Sequence, residues 1–103
     1  MELGLMLIGF GNVGREFVRL VERKRDELKA RYDLALRITG IATGRHGIAA
    51  NPAGLDTQAA LKAVEGGGRL DSLHVGAPLR SNVDLIRAGS ADVMIELSPL
   101  NPH

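Results

Sequence analysis

The sequence of residues 5–17, LMLIGFGNVGREF, constrains the fold of this chain more than any other stretch. Three glycines, Gly9, Gly11 and Gly14, follow an apolar run and precede a charged segment with helical spacing. In a G-x-G-x-x-G turn the first glycine permits the tight turn, the second leaves room for a pyrophosphate, and the third lets helix and strand pack closely. The helix that follows offers unpaired N–H groups and a positive dipole end to phosphates. This context favours dinucleotide binding over a purely structural turn.

The rest of the chain predicts strands that alternate with helices. The continuous apolar run of residues 3–10 is typical of a parallel strand buried on both faces. An amphipathic helix is predicted over residues 13–32, because apolar residues recur there at helical spacing. Its predicted inner face consists of Val13, Phe17, Leu20, Val21, Leu28 and Tyr32.

Local signals predict the later elements. They are a second strand at 34–43, a loop at 44–54, a helix at 57–65 capped by Asp56, a helix at 83–88 with capping-box spacing between Ser81 and Asp84, and a third strand at 91–97. This order predicts an α/β fold, a Rossmann-like βαβαβ three-layer parallel sheet with right-handed crossovers. Residues 1–103 would form a partial NAD(P)-binding domain that stops after the third strand.

Composition excludes several classes of function. The net charge is +1, so no strong attraction to nucleic acid or an anionic membrane is expected. No stretch approaches the roughly 20 apolar residues of a membrane span, and we expect a cytoplasmic protein. The absence of cysteine excludes disulfides and thiolate chemistry. The three histidines, His46, His74 and His103, are scattered and are interpreted as solvated loop residues, with no metal site.

The end of the second strand bears on the choice of cofactor. An acidic residue at this place would bind the adenosine ribose of NAD, but the strand runs into Thr43, Gly44, Arg45 and His46. An arginine can pair with the 2′-phosphate of NADP. We therefore expect NADP as the cofactor, with NAD possible and Arg45 as the phosphate partner. The alternative is that Arg45 is a solvated loop residue.

The third strand ends in the sequence ELSPLNP, residues 96–102. Ligands bind at the carboxyl ends of the strands in an open parallel sheet, so we expect Ser98 beside Gly9 and Gly11, at the nicotinamide end of the cofactor. A Ser-Pro strand terminator explains the same residue equally well. Glu96 either points into the crevice or lies near the exposed end of the strand.

Residues 7–47, with GFGNVG, a long charged helix and ATGRHG, resemble the amino-terminal part of homoserine dehydrogenase, as do residues 92–102, DVMIELSPLNP. The resemblance runs from residue 3 to residue 102 and is weaker between residues 48 and 91. It implies a Rossmann domain of an oxidoreductase that interconverts L-homoserine and L-aspartate 4-semialdehyde with NAD(P), a step toward threonine, methionine and isoleucine.

The resemblance also implies a set of cofactor-binding residues. They are Gly9, Phe10, Gly11, Asn12, Val13, Gly14, Thr43, Arg45, Ser98 and Pro99. Gly9, Gly11, Asn12, Val13 and Gly14 would hold the pyrophosphate. Arg45 would meet the adenosine side of the cofactor, and Ser98 and Pro99 would meet the nicotinamide ribose.

The chain also departs from this family. The family continues past SPLNP into a lysine-bearing strand and a substrate domain, whereas the lysines here, Lys24, Lys29 and Lys62, lie on predicted helix faces. Hydride transfer needs a positioned second substrate and a proton-transfer group, so we assign no catalytic residue. We expect a segment that is catalytically incomplete, with the amino-acid substrate bound only by the full-length enzyme.

Two further expectations concern assembly and alternative functions. Without a fourth strand, the first strand would leave a bare apolar edge, so we expect self-association into a homo-oligomer. One alternative function is a stand-alone NADP(H)-binding or nucleotide-binding module without catalysis. Another is a small structural or oligomerisation domain whose glycine loop is empty.

Overall fold

Four strands and three α-helices follow one another within residues 1–44, 46–88 and 91–97, which are the residues that the computed structural model describes. In chain order they are β1 (Glu2–Ile8), α1 (Asn12–Tyr32), β2 (Ala35–Ala42), β3 (Ile48–Ala50), α2 (Thr57–Glu65), α3 (Asn82–Ala88) and β4 (Val93–Glu96). A short 3-10 helix, Asp71–Leu73, lies between α2 and α3. None of the described helices is long and apolar enough to cross a membrane.

The strands form one sheet in the order β3-β2-β1-β4. β1 is central and parallel to both β2 and β4, and β3 is antiparallel to β2. Alternate residues of β1 feed two apolar clusters. Leu5 and Leu7 pack with residues of α1 and α2, whereas Met6 and Ile8 pack with Leu85 of α3. The predicted Rossmann-like α/β fold with three layers is therefore confirmed, but the sheet is mixed and has four strands, whereas three parallel strands were predicted.

The prediction of a bare edge on β1 is wrong. β4 pairs with that edge, with Leu5 opposite Val93 and Ile8 opposite Glu96. The start of this pairing is fixed by Asp92, whose backbone N–H donates to the carbonyl oxygen of Gly4 at 2.8 Å. The crossover through α3 carries the chain to the far side of β1, so the predicted third strand covers the edge of β1 that was expected to be bare.

The prediction of a loop over residues 44–54 is wrong at β3. The Thr43 backbone N–H donates to the Gly47 carbonyl oxygen at 3.1 Å, and the Thr43 hydroxyl donates to the same oxygen at 2.8 Å. These bonds close a tight turn, and a tight turn can join only antiparallel strands. The chain therefore folds back as Ile48–Ala50 beside the end of β2.

The inner face of α1 is also partly different from the prediction. Gly14, Val18 and Val21 are buried, whereas Val13 and Tyr32 are 65% and 66% exposed. A helix of 21 residues is about 31 Å long at 1.5 Å per residue, and the seven residues of β1 span only about 23 Å. The carboxyl end of the helix, with Tyr32, therefore extends beyond the strand, whereas Val13 lies on the outer side of the first turn, next to the buried Gly14.

The predicted caps of the two shorter helices are confirmed. The carboxylate of Asp56 accepts a hydrogen bond from the Ala59 backbone N–H at 3.1 Å, which satisfies a free donor at the start of α2. At α3, the Ser81 hydroxyl accepts from the Asp84 N–H at 3.2 Å, and the Asp84 carboxylate accepts from the Arg80 N–H at 3.0 Å. These caps fix the start of both helices.

Candidate functional site

The turn from β1 to α1 is built from glycine backbone. Gly9 has φ +106°, a conformation that residues with a Cβ rarely adopt, and its N–H donates to the Ala42 carbonyl oxygen at 2.8 Å. A Cβ on Gly14 would lie 2.8 Å from the Gly9 carbonyl oxygen, closer than a methyl group can approach. The first and third glycines therefore have the turning and packing roles that the motif predicts.

Gly11 has a different environment from Gly14. A Cβ built on Gly11 would have no heavy atom within 4 Å, beyond its chain neighbours and the backbone of its own helix. Gly11 is the N-cap of α1 and provides no side-chain cap, and the first turn contains no acidic residue. The start of the helix is therefore open and uncapped, as an anion-binding helix end must be.

The other residues of the motif are placed on opposite sides of the turn. The side chain of Phe10 is 4% exposed and belongs to the apolar core, so only its backbone can face a ligand. The side chain of Val13 is exposed on the first turn of α1. The amide oxygen of Asn12 accepts a hydrogen bond from Arg15 Nη2 at 2.6 Å.

The carboxyl end of β2 lies beside this turn, because the Gly9 N–H bonds to Ala42. The Thr43 hydroxyl accepts a hydrogen bond from the His46 backbone N–H at 2.7 Å and donates to Gly47, so the side chain of Thr43 shapes its own turn. Arg45, Ser98 and Pro99 lie outside the described residues. Glu96 is described and is exposed at the carboxyl end of β4.

A cavity of about 750 Å³ opens at the end of β2. Its wall includes Thr43 and Gly44, together with four residues of the connection between α2 and α3, namely Arg69, Asp71, His74 and Arg80. The sequence does not indicate a site at these four residues, since the glycine-rich connection has no periodic pattern. The available signal was the alternation of charged residues with glycine and proline over residues 65–81.

The cavity wall is held by hydrogen bonds on both sides of His74. Its Nδ1 accepts from the Ala50 backbone N–H at 2.9 Å, and its Nε2 lies 2.7 Å from the Ala77 carbonyl oxygen. Nδ1 is therefore the acceptor of this pair of hydrogen bonds, and Nε2 is the donor to the Ala77 carbonyl oxygen. His74 is thus a structural bridge and not the solvated loop residue that the sequence suggests. Arg69 donates to the Asp71 carboxylate at 2.8 Å.

Charged side chains connect the start of α1 to the end of α2. Arg19 donates hydrogen bonds to the carboxylates of Glu65 and Glu16. The hydrogen bond from Arg19 lowers the pKa of Glu65 from its ordinary value. Arg15 also faces Glu65, with Nη1 3.5 Å from the carboxylate oxygen Oε2. The described residues contain no cluster of His, Asp and Glu side chains that could hold a metal ion.

The sheet with helices packed on both faces, together with the glycine turn, defines an α/β protein of the Rossmann-like class. Among curated proteins, the chain is 28% identical over 99 residues to a homoserine dehydrogenase from Methanocaldococcus jannaschii. That match covers 96% of this chain and 29% of the relative. No protein-family model matches the chain.

A solved structure gives the same result for the fold. The crystal structure of a homoserine dehydrogenase from Thermoplasma acidophilum matches with a TM-score of 0.72 and 20% sequence identity. The match covers 99% of this chain and 28% of that one, so the chain spans less than a third of the length of either protein. The resemblance to the amino-terminal part of homoserine dehydrogenase is confirmed, and it supports a nucleotide-binding segment.

Proposed function

We propose that this chain is the nicotinamide-dinucleotide-binding segment of a homoserine dehydrogenase and that it prefers NADP. The full enzyme would interconvert L-homoserine and L-aspartate 4-semialdehyde. The observation that carries this proposal is the close approach of Gly14 to the Gly9 carbonyl oxygen, beside an open position at Gly11. A turn with only a structural role needs the first feature but has no need of the open space.

The residues of the turn fit a pyrophosphate. The backbone of Gly9, Phe10 and Gly11 would pass next to it, and the uncapped N–H groups at the start of α1 would donate to its oxygens. Asn12 and Val13 would complete that side of the site, and Gly14 would keep the helix close to the strand. The bound cofactor supplies hydride transfer, whereas these residues bind and orient it.

Preference for NADP is supported by the charges at the end of β2. Ala42, Thr43 and Gly44 place no carboxylate there for the ribose hydroxyls of NAD. Arg69 and Arg80 line the adjoining cavity, and the carboxylate of Asp71 already accepts a hydrogen bond from Arg69. A phosphate is therefore more favourable than a bare hydroxyl group at this place. Arg45 adds a third cation in the sequence and is our proposed partner for the 2′-phosphate.

Nucleotide titration tests this proposal. Because a ligand that binds only the folded chain raises its melting temperature, we expect a larger shift with NADPH than with NADH at equal concentration. Arg45→Ala should weaken NADPH binding and leave NADH binding nearly unchanged, whereas Arg31→Ala, a charge-matched control at the far end of α1, should change neither. We expect no turnover of L-homoserine by this chain. No shift with either nucleotide would refute the proposal, and equal weakening of both by Arg45→Ala would refute the assignment of Arg45.

A further inference from the structure

The side chain of Arg15 lies against the glycine turn and bonds to it at two points. Its Nε donates to the Gly11 carbonyl oxygen at 3.2 Å, and its Nη2 donates to Asn12 Oδ1 at 2.6 Å. On the other side, Nη1 lies 3.5 Å from the Glu65 carboxylate. The side chain is only 21% exposed. The guanidinium is thus held between the turn and the end of α2.

These contacts determine the orientation of the Asn12 amide. A guanidinium carries donors and no acceptor, so only the oxygen of the amide can face it. The amide NH2 group of Asn12 must then point away from Arg15. Because Asn12 is exposed and is the first residue of α1, this NH2 group is a donor at the uncapped start of the helix. Without Arg15 nothing in these contacts would prevent the amide from turning its oxygen outward.

We propose that Arg15 is a positioning residue, which orients the Asn12 amide so that its NH2 group donates to the pyrophosphate of the cofactor. This inference rests on the proposed function and adds a residue outside the glycine motif. Arg15 does not itself bind the phosphate, since its donors serve Gly11 and Asn12 and its charge faces Glu65. The Glu65 carboxylate faces the Arg15 guanidinium and so holds it in place. Glu65 is itself paired with Arg19.

The orientation of the amide can be measured without any nucleotide. In a two-dimensional NMR spectrum of the ¹⁵N-labelled chain, the Asn12 side-chain NH2 signals should differ from those of a free asparagine, because its oxygen accepts a charge-assisted hydrogen bond. Arg15→Met should return these signals to free values, and Arg23→Met, which removes the same charge from an exposed position on α1, should not. Free-asparagine signals in the wild type would overturn the inference.

Binding measurements test the effect on the cofactor. Asn12→Ala and Arg15→Met should each weaken NADPH and NADH by about tenfold, the value of one hydrogen bond to a charged group. Because Arg15 acts through Asn12, the double variant should bind no more weakly than Asn12→Ala alone. Losses that add in the double variant would mean that Arg15 contacts the phosphate directly and would overturn the inference, as would wild-type affinity in Arg15→Met.

Two controls distinguish loss of the positioning role of Arg15 from a general loss of structure and from failure of the proposed function. Adenosine 2′-phosphate contains no pyrophosphate, so Arg15→Met should leave its binding unchanged, whereas a general loss of structure would weaken both ligands. Arg15→Lys keeps the charge but provides a single ammonium for two acceptors, and it should bind NADPH with intermediate affinity. Failure of the wild type to bind any nucleotide would refute the proposed function, while the NMR experiment would still decide whether Arg15 orients the Asn12 amide.

Discussion

Gly14→Ala is the substitution that tests the glycine turn most directly. The added Cβ would lie 2.8 Å from the Gly9 carbonyl oxygen, 3.5 Å from its carbonyl carbon and 3.6 Å from Phe10 Cδ1. The nearest atoms belong to backbone, which cannot rotate away as a side chain would, so the start of α1 must move off the strand. Overpacking of this kind costs about 1–3 kcal/mol.

Helix propensity acts in the opposite direction. Alanine is more favourable than glycine inside a helix by about 1 kcal/mol, so the net loss for Gly14→Ala is up to about 2 kcal/mol. For a chain of this size each kcal/mol corresponds to about 4–8 °C in melting temperature. Urea unfolding followed by circular dichroism should therefore give a lower midpoint for Gly14→Ala. Ala30→Gly, at an exposed position of α1, measures the propensity contribution separately.

Gly11→Ala is the matched control, because it adds the same methyl group at a position where there is room for it. Its Cβ meets nothing within 4 Å, so the free energy of unfolding should change by less than about 1 kcal/mol, the difference between glycine and alanine as N-cap. The methyl group would instead fill the room that a pyrophosphate needs, and NADPH affinity should fall. A Gly14→Ala chain as stable as the wild type, or more so, would refute the argument from close approach. Full NADPH affinity in Gly11→Ala would refute the role of the second glycine.

Two further substitutions test the stability of the fold. Asp56→Ala removes the N-cap bond to Ala59 and should lower the free energy of unfolding in urea by about 1 kcal/mol. Asp56→Asn should retain most of this stability, because asparagine also caps helices. Equal losses in both variants would contradict the role of Asp56 as a cap. The hydrogen bond from Arg25 and then that from Thr57 lower the pKa of Glu22. The ionised Glu22 carboxylate therefore stabilises the fold above its unfolded pKa of about 4.3. This stabilisation is lost as pH falls through the lower pKa of the folded state. Glu22→Gln should cost less than about 1 kcal/mol at pH 6 and less at pH 2 than at pH 6, and an equal cost at both pH values would contradict this.

The parts of the fold that depend on local chemistry could be predicted from the sequence. Asp56 and the glycines after residue 65 delimit α2, because a capping carboxylate and a glycine run act within one or two turns. The glycine turn is similar, since the positive φ of Gly9 and the packing of Gly14 involve residues only five apart. These signals are present in the sequence whatever the rest of the chain does.

Features that depend on distant partners could not be predicted. β3 forms because residues 48–50 pair with the free edge of β2. Its sequence, IAA, is too short for an alternating pattern that would indicate a strand. A bulge at Thr39 shifts the register of β2 against β1, and the buried Thr39 hydroxyl donates to the Leu5 carbonyl oxygen at 3.3 Å. The cavity residues Arg69 and His74 come together only after the connection between α2 and α3 has folded against β3.

The pairing of β1 with β4 has a consequence for the order of folding. Gly4 and Asp92, which begin this pairing, are 88 residues apart, and the loop that joins them includes all the other elements. Closing such a loop costs chain entropy before its contacts form, so topologies of this kind fold more slowly than helical bundles. During synthesis β1 must therefore wait until β4 has been made before its second edge is covered. In that interval the nascent chain exposes an apolar edge that a chaperone can protect.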